Sequence, residues 1–411
     1  MTQMRIFTAL LILLLFAVPT VAQQPKAKTP PSTTKTTPAT TNRSRTTTAT
    51  PKPAVEQAKS GMTQTVKAKT AAMKAAPDVV DEAETLDAEA FTPHVVDTLT
   101  APTVIAFGSC NKVDRPQNMW GDVAANNPNL WIWLGDIIYA DTTDMKALAA
   151  MYKRLKTNPY YKKLRAKAQI VGVYDDHDFG VNDCGKNYPM KKSAKKCLMD
   201  FLDVPMNNSL RKREGAYQSY TFGKAGQRIK VIVLDSRYFR DELEPDPTKA
   251  RRYIPNATGD ILGEAQWKWL EKELKNSPAN LNLLCTSIQV LADQHGHEKW
   301  GNFPNCRKRL LSLIASTKPK NLLILSGDRH MAEISKMDLQ GLSYPLYDFT
   351  SSGLTHIRSG TAEDNKLRVG DMILKKNFGL LKIRWEGEHP TVSMQVRGQL
   401  NELYQEVIVK Y

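Results

Sequence analysis

Long hydrophobic runs are scarce in this chain of 411 residues, and the sequence contains no internal repeat. The one extended apolar run, IFTALLILLLFAV at residues 6–18, is shorter than the ~20 residues that a membrane-spanning helix needs. It follows a weakly basic start and precedes the small residues PTVA, which is the layout of a signal peptide over residues 1–22. No cysteine follows the run, which argues against lipoprotein attachment. We therefore expect export to the periplasm or the extracellular space.

Apolar residues are also nearly absent from residues 23–54, which consist almost wholly of Thr, Pro, Lys, Ala and Ser. Such a composition cannot bury a core. Residues 23–76, with ten Lys or Arg and one Glu, are therefore predicted to form a basic, disordered tether. Two roles fit this tether: contact with an anionic envelope surface, and a solvated spacer. Residues 77–102 follow as an acidic lead-in segment.

Cysteine is rare, and its number is odd: the chain has five. Disulfides can form in an exported protein, but an odd count leaves at least one thiol free, bound to a metal or paired with another chain. The pairing stays open at this point, although Cys184 and Cys197 enclose the shortest loop. The sequence also lacks a Cys-x-Pro-x-Arg run, the motif expected in a sulfatase.

From residue 103 onwards, strand-like apolar runs alternate with amphipathic stretches. The runs include TVIAFGSC, LWIWLGDII and NLLILSGDRH, and the helical stretches include MKALAAMYKRL and GEAQWKWLEKELKNS. This alternation predicts βα units and a largely parallel or mixed sheet. Towards the C-terminus, TVSMQVRG and ELYQEVIVKY alternate polar and apolar residues, which predicts antiparallel strands. Residues 103–411 are therefore expected to form one α/β domain, a two-sheet sandwich flanked by helices.

Polar residues of the types that bind metals or phosphate recur where these strand-like runs end. They are Ser109, Cys110, Asn111, Asp136, Tyr139, Asp175, Asp176, His177, Asp178, Asp235, Arg237, Ser287, Gln289, Asp328, Arg329 and His330. In α/β sheets, ligands bind beyond the carboxyl ends of the strands. Carboxylates, a thiolate, a phenolate and imidazoles together suit a site of two or more cations. Such cations activate a water molecule and hold phosphate oxygens.

Each of these residues also has an ordinary structural interpretation. Asp136 after a glycine is typical of a helix N-cap, and Cys110 is typical of a small buried side chain. Core packing, structural hydrogen bonding or ion pairing would account for Tyr139, His177, Asp235, Arg237 and His330. The recurrence at six strand ends favours the metal interpretation for the set as a whole.

The motif order FGSCN, LGDIIY, YDDHD, LDSR, SGDRH and TSSGLTH resembles the PhoD-like (alkaline phosphatase D) family of the metallophosphoesterases, over about residues 103–360. The resemblance implies a four-layer αββα sandwich and metal-dependent hydrolysis of phosphate mono- and diesters. It also implies Fe³⁺ held in part by a tyrosinate, with Ca²⁺ beside it. Another divalent pair, such as Mn²⁺ or Zn²⁺, is the alternative.

The resemblance assigns roles to individual residues. The metal ligands that it implies are Cys110, Asp136, Tyr139, Asp176, Asp328 and His330. Asp136 would bridge the two ions. His177 and Arg237 would be catalytic, the first assisting the leaving group and the second stabilising the phosphate. Asn111, Arg237 and Arg329 would contact the substrate.

One departure from the family pattern concerns the fifth strand. Many relatives supply a histidine there, whereas this chain has Ser287 and Gln289, with His295 and His297 farther on. The ligand set of the second ion therefore stays open at this point. The expected partner is a phosphate ester, no nucleic-acid partner is predicted, and a monomer is expected. The alternative function is a non-catalytic binding protein for an anionic polymer or lipid, built on a degenerate scaffold.

Overall fold

The computed structural model describes residue 92 and residues 94–411. The predicted signal peptide, the tether and most of the acidic lead-in lie outside these residues. Over the part described, regular structure begins at Val104 and continues almost to the C-terminus. None of the described helices has both the length and the apolar character that crossing a membrane requires.

Fifteen strands are found among the described residues. They are β1 (Val104–Gly108), β2 (Leu130–Leu134), β3 (Gln169–Val173), β4 (Gln218–Phe222), β5 (Ile229–Val233), β6 (Glu244–Pro245), β7 (Tyr253–Ile254), β8 (Leu281–Cys285), β9 (Leu322–Ser326), β10 (Ala332–Met337), β11 (Leu346–Ser351), β12 (Arg368–Ile373), β13 (Asn377–Glu386), β14 (His389–Gly398) and β15 (Leu403–Lys410). Most of them coincide with the apolar runs of the sequence, so the strand prediction is confirmed for those runs.

The strands form two large mixed sheets. The first has the order β15-β14-β13-β1-β2-β3, and the second has the order β12-β10-β11-β9-β8-β5-β4. In the first sheet β1, β2 and β3 are parallel, whereas β13, β14 and β15 are antiparallel, as their alternating patterns predict. In the second sheet β5, β8, β9 and β11 are parallel. Strands β6 and β7 pair separately.

Helices pack against both sheets, and one short helix lies where the strands end. They are α1 (Met119–Ala125), α2 (Met145–Thr157), α3 (Pro159–Arg165), α4 (Asp176–Phe179), α5 (Lys191–Phe201), α6 (Ser209–Lys212), α7 (Gly263–Lys275) and α8 (Pro304–Thr317). Trp120 of α1 packs edge-to-face against Trp131 and Trp133 of β2, which joins this helix to the first sheet. On the second sheet, Ile232 of β5 shares a core with Trp267 of α7, as expected for a strand whose alternate side chains face opposite sides.

The inner faces of the two sheets pack on each other. Val231 and Val233 of β5 lie in the same buried core as Ile105 and Phe107 of β1. Phe107 meets Phe349 of β11 edge-to-face, with ring centroids 4.9 Å apart. The molecule is therefore a four-layer αββα sandwich, and the predicted fold class is confirmed.

All five cysteines are free thiols. Cys184 and Cys197, whose pairing the sequence leaves open, are not joined to each other. Cys285 lies within β8 as a buried apolar side chain, whereas Cys110 lies just after β1, where several parallel strands end.

Candidate metal centre

The strand ends converge through an unusual backbone conformation. Cys110, Asp136, Asp328 and His330 all have positive φ, at 62°, 49°, 69° and 53°. Such angles are uncommon for residues other than glycine and cost of order 1–3 kcal/mol each when the surroundings impose them. A backbone hydrogen bond joins two of these strand ends: the N–H of Asn111 donates to the carbonyl of Asp136 at 2.8 Å. Four strained residues in one place indicate a functional site.

A first donor group combines sulfur, nitrogen and oxygen. Ligand atoms of Cys110, Asp136 and His330 all lie within 4.8 Å of one another. The Tyr139 hydroxyl donates to Asp136 Oδ2 at 2.8 Å and lies 2.9 Å from His330 Nε2. Thiolate, phenolate, imidazole and carboxylate together suit a transition-metal ion. The structure thus brings these four predicted ligands together.

A second donor group contains oxygen alone. Carboxylate oxygens of Asp136, Asp175, Asp176 and Asp328 lie within 4.8 Å of one another. Asp136 belongs to both groups and is therefore placed to bridge two cations. Carboxylates are the ligands of hard cations such as Ca²⁺, Mg²⁺ or Mn²⁺. The sequence motifs do not mark Asp175 as a ligand; its position at the end of β3, directly before Asp176, is the available signal.

The protein leaves several of these oxygens without a hydrogen bond, although Arg237 Nη2 lies 3.9 Å from Asp176 Oδ1. Asp136 Oδ1, Asp175 Oδ2 and Asp176 Oδ1 are buried and make no hydrogen bond. A buried carboxylate oxygen without a donor or a cation is strongly unfavourable. Cations placed among the two donor groups would satisfy all three atoms, so the residues present fit a binuclear site.

The electrostatics of the free side chains agree with this fit. Burial raises the pKa of Asp136 well above its usual range, and the neighbouring charges of Asp176 and Asp175 add to the shift. Burial also raises the pKa of Asp328 and that of the Cys110 thiol. Without cations these groups favour their neutral forms. Bound cations would favour the deprotonated forms that serve as ligands.

His177 is held at the edge of the second donor group. Its Nδ1 lies 2.8 Å from Asp141 Oδ1, and its ring stacks on Tyr139 with centroids 4.1 Å apart. Burial opposes a positive charge on the ring, but the carboxylates of Asp176, Asp136 and Asp141 outweigh it and raise the pKa of His177 to about 11. Asp141 is a further site residue that sequence reasoning missed. It orients the imidazole through one ring nitrogen and leaves the other for a ligand.

Arg237 has an environment different from the predicted phosphate clamp. Its side chain is fully buried, and its Nε donates to Asp175 Oδ1. A second nitrogen, Nη1, pairs with Glu298 at 2.8 Å. Ser287 also donates to Asp175 Oδ1, at 2.6 Å. Because Arg237 and Ser287 hold the same carboxylate, both position a metal-type ligand, and the guanidinium does not face an open cleft.

The other predicted residues occupy defined places around the two donor groups. Asn111 is fully buried and donates to the carbonyl of Ile137 at 3.1 Å, so it holds two strand ends together. Gln289 donates to Glu333 at 2.8 Å and takes part in a buried network of the second sheet. Arg329 is 4% exposed and lies between two of the predicted ligands in the chain.

Asp178 is the residue that fixes the turn after β2. Its Oδ1 accepts the N–H of Asp175 at 2.6 Å and that of Asp136 at 3.2 Å. Its Oδ2 accepts the N–H of Ile137 at 3.0 Å. The Tyr152 hydroxyl also donates to Oδ2, at 3.3 Å. Through its three backbone contacts the carboxylate aligns two loops that each carry a ligand.

Replacing Asp178 by alanine is expected to loosen both loops. Three buried N–H groups would lose their acceptor, and we expect unfolding to become easier by about 3–5 kcal/mol. Bound metal per folded molecule should fall as well, because Asp136 and Asp175 would no longer be held in register. Denaturant unfolding and metal analysis of the variant measure the two effects.

Asp144 provides a matched control for this change. It is exposed, caps α2 and accepts the N–H groups of Lys146 and Ala147. Asp144→Ala should therefore cost about 1 kcal/mol and leave the bound metal unchanged. Equal metal loss in the two variants would show that Asp178 has no special part in positioning the ligands.

The sequence of this chain matches a known protein family and a curated relative. The family model described as PhoD-like phosphatase matches residues 105–382. Alkaline phosphatase D of Bacillus subtilis (strain 168) is 24% identical over 330 residues, which cover 68% of this chain and 56% of that protein. The chain thus spans little more than half the length of this curated relative.

Solved structures share the fold. The structure of PhoD aligns with a TM-score of 0.60 and 17% identity, covering 77% of this chain and 70% of that one. Purple acid phosphatase PPD1 from yellow lupin (Lupinus luteus) seeds aligns with a TM-score of 0.52 and 9% identity, covering 77% and 55%. GAP50, the anchor in the inner membrane complex of Plasmodium, aligns with a TM-score of 0.51 and 10% identity, covering 76% of this chain and 89% of that one. With a family match across most of its folded residues, and with the fold and donor groups described above, this chain belongs to the PhoD-like phosphatase family.

Proposed function

We propose that the protein is an exported, metal-dependent phosphoesterase that hydrolyses phosphate mono- or diesters with an activated water molecule. The observation that carries the proposal is the pair of donor groups that share Asp136. Two cations bound at sites with a common carboxylate would be close enough to act together in displacement at phosphorus. Membership of a phosphatase family supports phosphate esters as the substrate class.

The chemistry of the donors favours a different ion at each site. The group with Cys110, Tyr139 and His330 supplies sulfur, phenolate oxygen and nitrogen, which suits Fe³⁺. The all-carboxylate group suits Ca²⁺. Mn²⁺ or Zn²⁺ is the alternative pair. When bound, such ions lower the pKa of a coordinated water and neutralise charge on the phosphate.

His177 is placed to serve the leaving group. Asp141 fixes one ring nitrogen, and the stacking on Tyr139 fixes the plane of the ring. The imidazole is thus oriented at the edge of the carboxylate group, where its second nitrogen can donate to a departing ester oxygen. A fixed donor at this position stabilises negative charge as it develops on that oxygen.

Cationic side chains near the donor groups are available to contact the substrate. Lys112 Nζ lies 4.7 Å from the ring centroid of Tyr139, at the rim of the first group. Arg329 lies between Asp328 and His330 in the chain. Guanidinium and ammonium groups match phosphate oxygens in charge and geometry. Arg237, by contrast, acts through Asp175, whose carboxylate it positions.

A non-catalytic binding protein is the competing function. The fold alone does not decide between the two, because a fold can carry unrelated functions. A scaffold that had lost catalysis would be expected to lose ligands. Here the predicted ligands Cys110, Asp136, Tyr139 and His330 form one group, and the proposal of an enzyme rests on that retention.

Export and surface contact belong to the same proposal. The apolar run and small residues over residues 1–22 support secretion to the periplasm or extracellular space. The basic composition of residues 23–76 supports contact with an anionic envelope surface. A monomer without a nucleic-acid partner remains the expectation for the folded domain.

Removing the metal tests the function directly. The purified protein should contain close to two metal ions per chain and should hydrolyse aryl phosphate mono- or diesters. Prolonged dialysis against a chelator should lower turnover by at least about 100-fold and lower the thermal midpoint. The second effect is expected because ions that bind only the folded state stabilise it, by ~2.7 kcal/mol at 100 times Kd.

Adding metal back should restore both turnover and the thermal midpoint. Recovery with one ion mixture and not with others would identify the pair. A fully active protein without bound metal would refute the proposed function, and an inactive metal-free protein that binds anionic polymers or lipids would support the alternative.

A further inference from the structure

Three basic side chains converge on one carboxylate beside the metal centre. Arg329 Nη2 lies 2.6 Å from Glu363 Oε2, and Arg358 Nη1 lies 2.9 Å from Glu363 Oε1. His297 Nε2 lies 3.5 Å from the same Oε1. We call Arg329, Arg358 and His297 the distal cation cluster. Burial lowers the pKa of His297 to about 4, so the positive charge of the cluster comes from the two guanidinium groups.

The distal cation cluster is attached to the metal centre by the backbone. Arg329 directly follows Asp328 and precedes His330 in the chain. The N–H of Arg358 donates to the carbonyl of His330 at 2.9 Å. A group bound by the cluster would therefore lie next to a group held at the two donor groups.

The single carboxylate does not satisfy the cluster. Among the described residues, Glu363 is the one acidic side chain paired with these three, so two guanidinium charges share one negative charge. Arg329 is 4% exposed, and its Nε has no hydrogen-bond partner. A buried, unpaired donor on a charged group is unfavourable, and a ligand with more oxygens would relieve it.

The paired carboxylate lies on a segment without regular structure. Glu363 belongs to the stretch between β11 and β12, residues 352–367, and its side chain is 20% exposed. Its N–H donates only to the sulfur of Met372, at 3.4 Å. The carbonyl of Glu363 accepts from Arg368 Nη2, and neighbouring residues of the segment make further backbone hydrogen bonds. Release of the basic side chains therefore requires only the Glu363 side chain to move, not the whole segment.

We propose that the distal cation cluster is a second anion subsite, which binds a terminal phosphate group on a substrate whose ester phosphate lies at the metal centre. Glu363 occupies this subsite in the free protein, and the substrate's second phosphate displaces it. The proposal rests on the proposed phosphoesterase function. A terminal phosphate fits better than an internal diester, because a dianion with three free oxygens can meet two guanidinium groups and an imidazole together.

A purely structural role for the same contacts makes a different prediction. If Glu363 only anchored residues 352–367 to the neighbouring strands, its removal would lower stability and affect all substrates alike. The proposed subsite requires that the effect depend on whether the substrate carries a second phosphate.

The test uses three aryl phosphodiesters that share a nitrophenolate leaving group. Each has a four-carbon arm, ending in a hydroxyl, a phosphate or a methyl phosphate. The measured quantity is the ratio of kcat/KM for each charged arm to that for the hydroxyl arm. Glu363→Gln should raise the ratio for the terminal phosphate about tenfold, through KM, and Arg358→Gln should reduce it to about 1. The methyl phosphate should gain little.

Glu264→Gln is the matched control, because Glu264 pairs with Arg309 on exposed helix surfaces. Its ratios should equal those of the unmodified protein. Identical ratios in the Glu363, Arg358 and control variants would overturn the subsite, and equal gain from the methyl-capped arm would overturn its assignment to a terminal phosphate.

Calorimetric binding of butane-1,4-diol bisphosphate and monophosphate to the metal-loaded protein separates this proposal from the proposed function. Tighter binding of the bisphosphate, lost in Arg358→Gln, would support the subsite even if no ester were hydrolysed. Equal binding of the two compounds to the unmodified protein would refute it even if hydrolysis were rapid.

Discussion

Changing Asp136 to asparagine is expected to abolish hydrolysis and to release metal from both sites. Its carboxylate belongs to both donor groups, so one substitution removes a ligand from each cation. An amide keeps the size of the side chain but carries no negative charge, and it offers one oxygen in place of two. We expect turnover to fall by at least about 1,000-fold, which corresponds to ~4 kcal/mol of lost transition-state stabilisation.

The measurement is steady-state turnover together with metal content per folded molecule. Asp348→Asn is the matched control, because Asp348 is equally buried but accepts hydrogen bonds from Val290, Leu291 and Ser326. That change should lower stability without changing the metal content. Normal turnover in Asp136→Asn would contradict both the bridging role and the proposed function.

The sequence predicted the framework of the site because strand ends leave a local signature. Apolar runs that finish in Cys110, Asp136 and Asp328 are visible in the sequence, and parallel strands bring such ends to one edge. The family prediction and the αββα fold are confirmed by the comparisons and the sheet order. The residues that each strand end contributes to the site can therefore be predicted from the local sequence of that strand.

Side-chain contacts between different strand ends cannot be predicted from the local sequence. Arg237 follows a strand end, as a phosphate-binding residue would, yet its side chain pairs with Asp175 and Glu298. Which carboxylate reaches a guanidinium depends on how two loops cross, and periodicity carries no information on that. The position of Glu363 is the hardest to predict from the sequence. It lies in a segment without regular structure, and only tertiary packing brings its carboxylate to Arg329.

A fold alone does not determine an activity, because one fold can carry unrelated functions. The proposal of hydrolysis therefore depends on the donor atoms and not on the sheets. One buried oxygen each of Asp136, Asp175 and Asp176 makes no hydrogen bond, and this is the strongest structural reason to place cations there. Buried carboxylate oxygens without a donor or a cation would otherwise destabilise the domain.

Replacing Gly135 by alanine is expected to damage stability and metal binding together. Gly135 has φ +85°, and an added Cβ would lie 2.3 Å from Asp175 Cβ and 2.6 Å from the Asp175 backbone nitrogen. The ends of β2 and β3 approach each other this closely only because the residue before Asp136 has no side chain. Both the positive φ and the clash oppose the change, so we expect a loss of about 3 kcal/mol or more. Denaturant unfolding and metal analysis would detect it.

Gly121 is the control that separates the clash from a general effect of alanine. It lies within α1, and a Cβ there would meet nothing within 4 Å. Gly121→Ala should therefore stabilise the protein by up to about 1 kcal/mol, because alanine has the higher helix propensity. The two substitutions therefore have opposite expected signs, one set by the clash and the positive φ and the other by helix propensity. A Gly135→Ala protein with full stability and full metal content would mean that the ends of β2 and β3 lie farther apart than described, and the shared role of Asp136 would fail with that spacing.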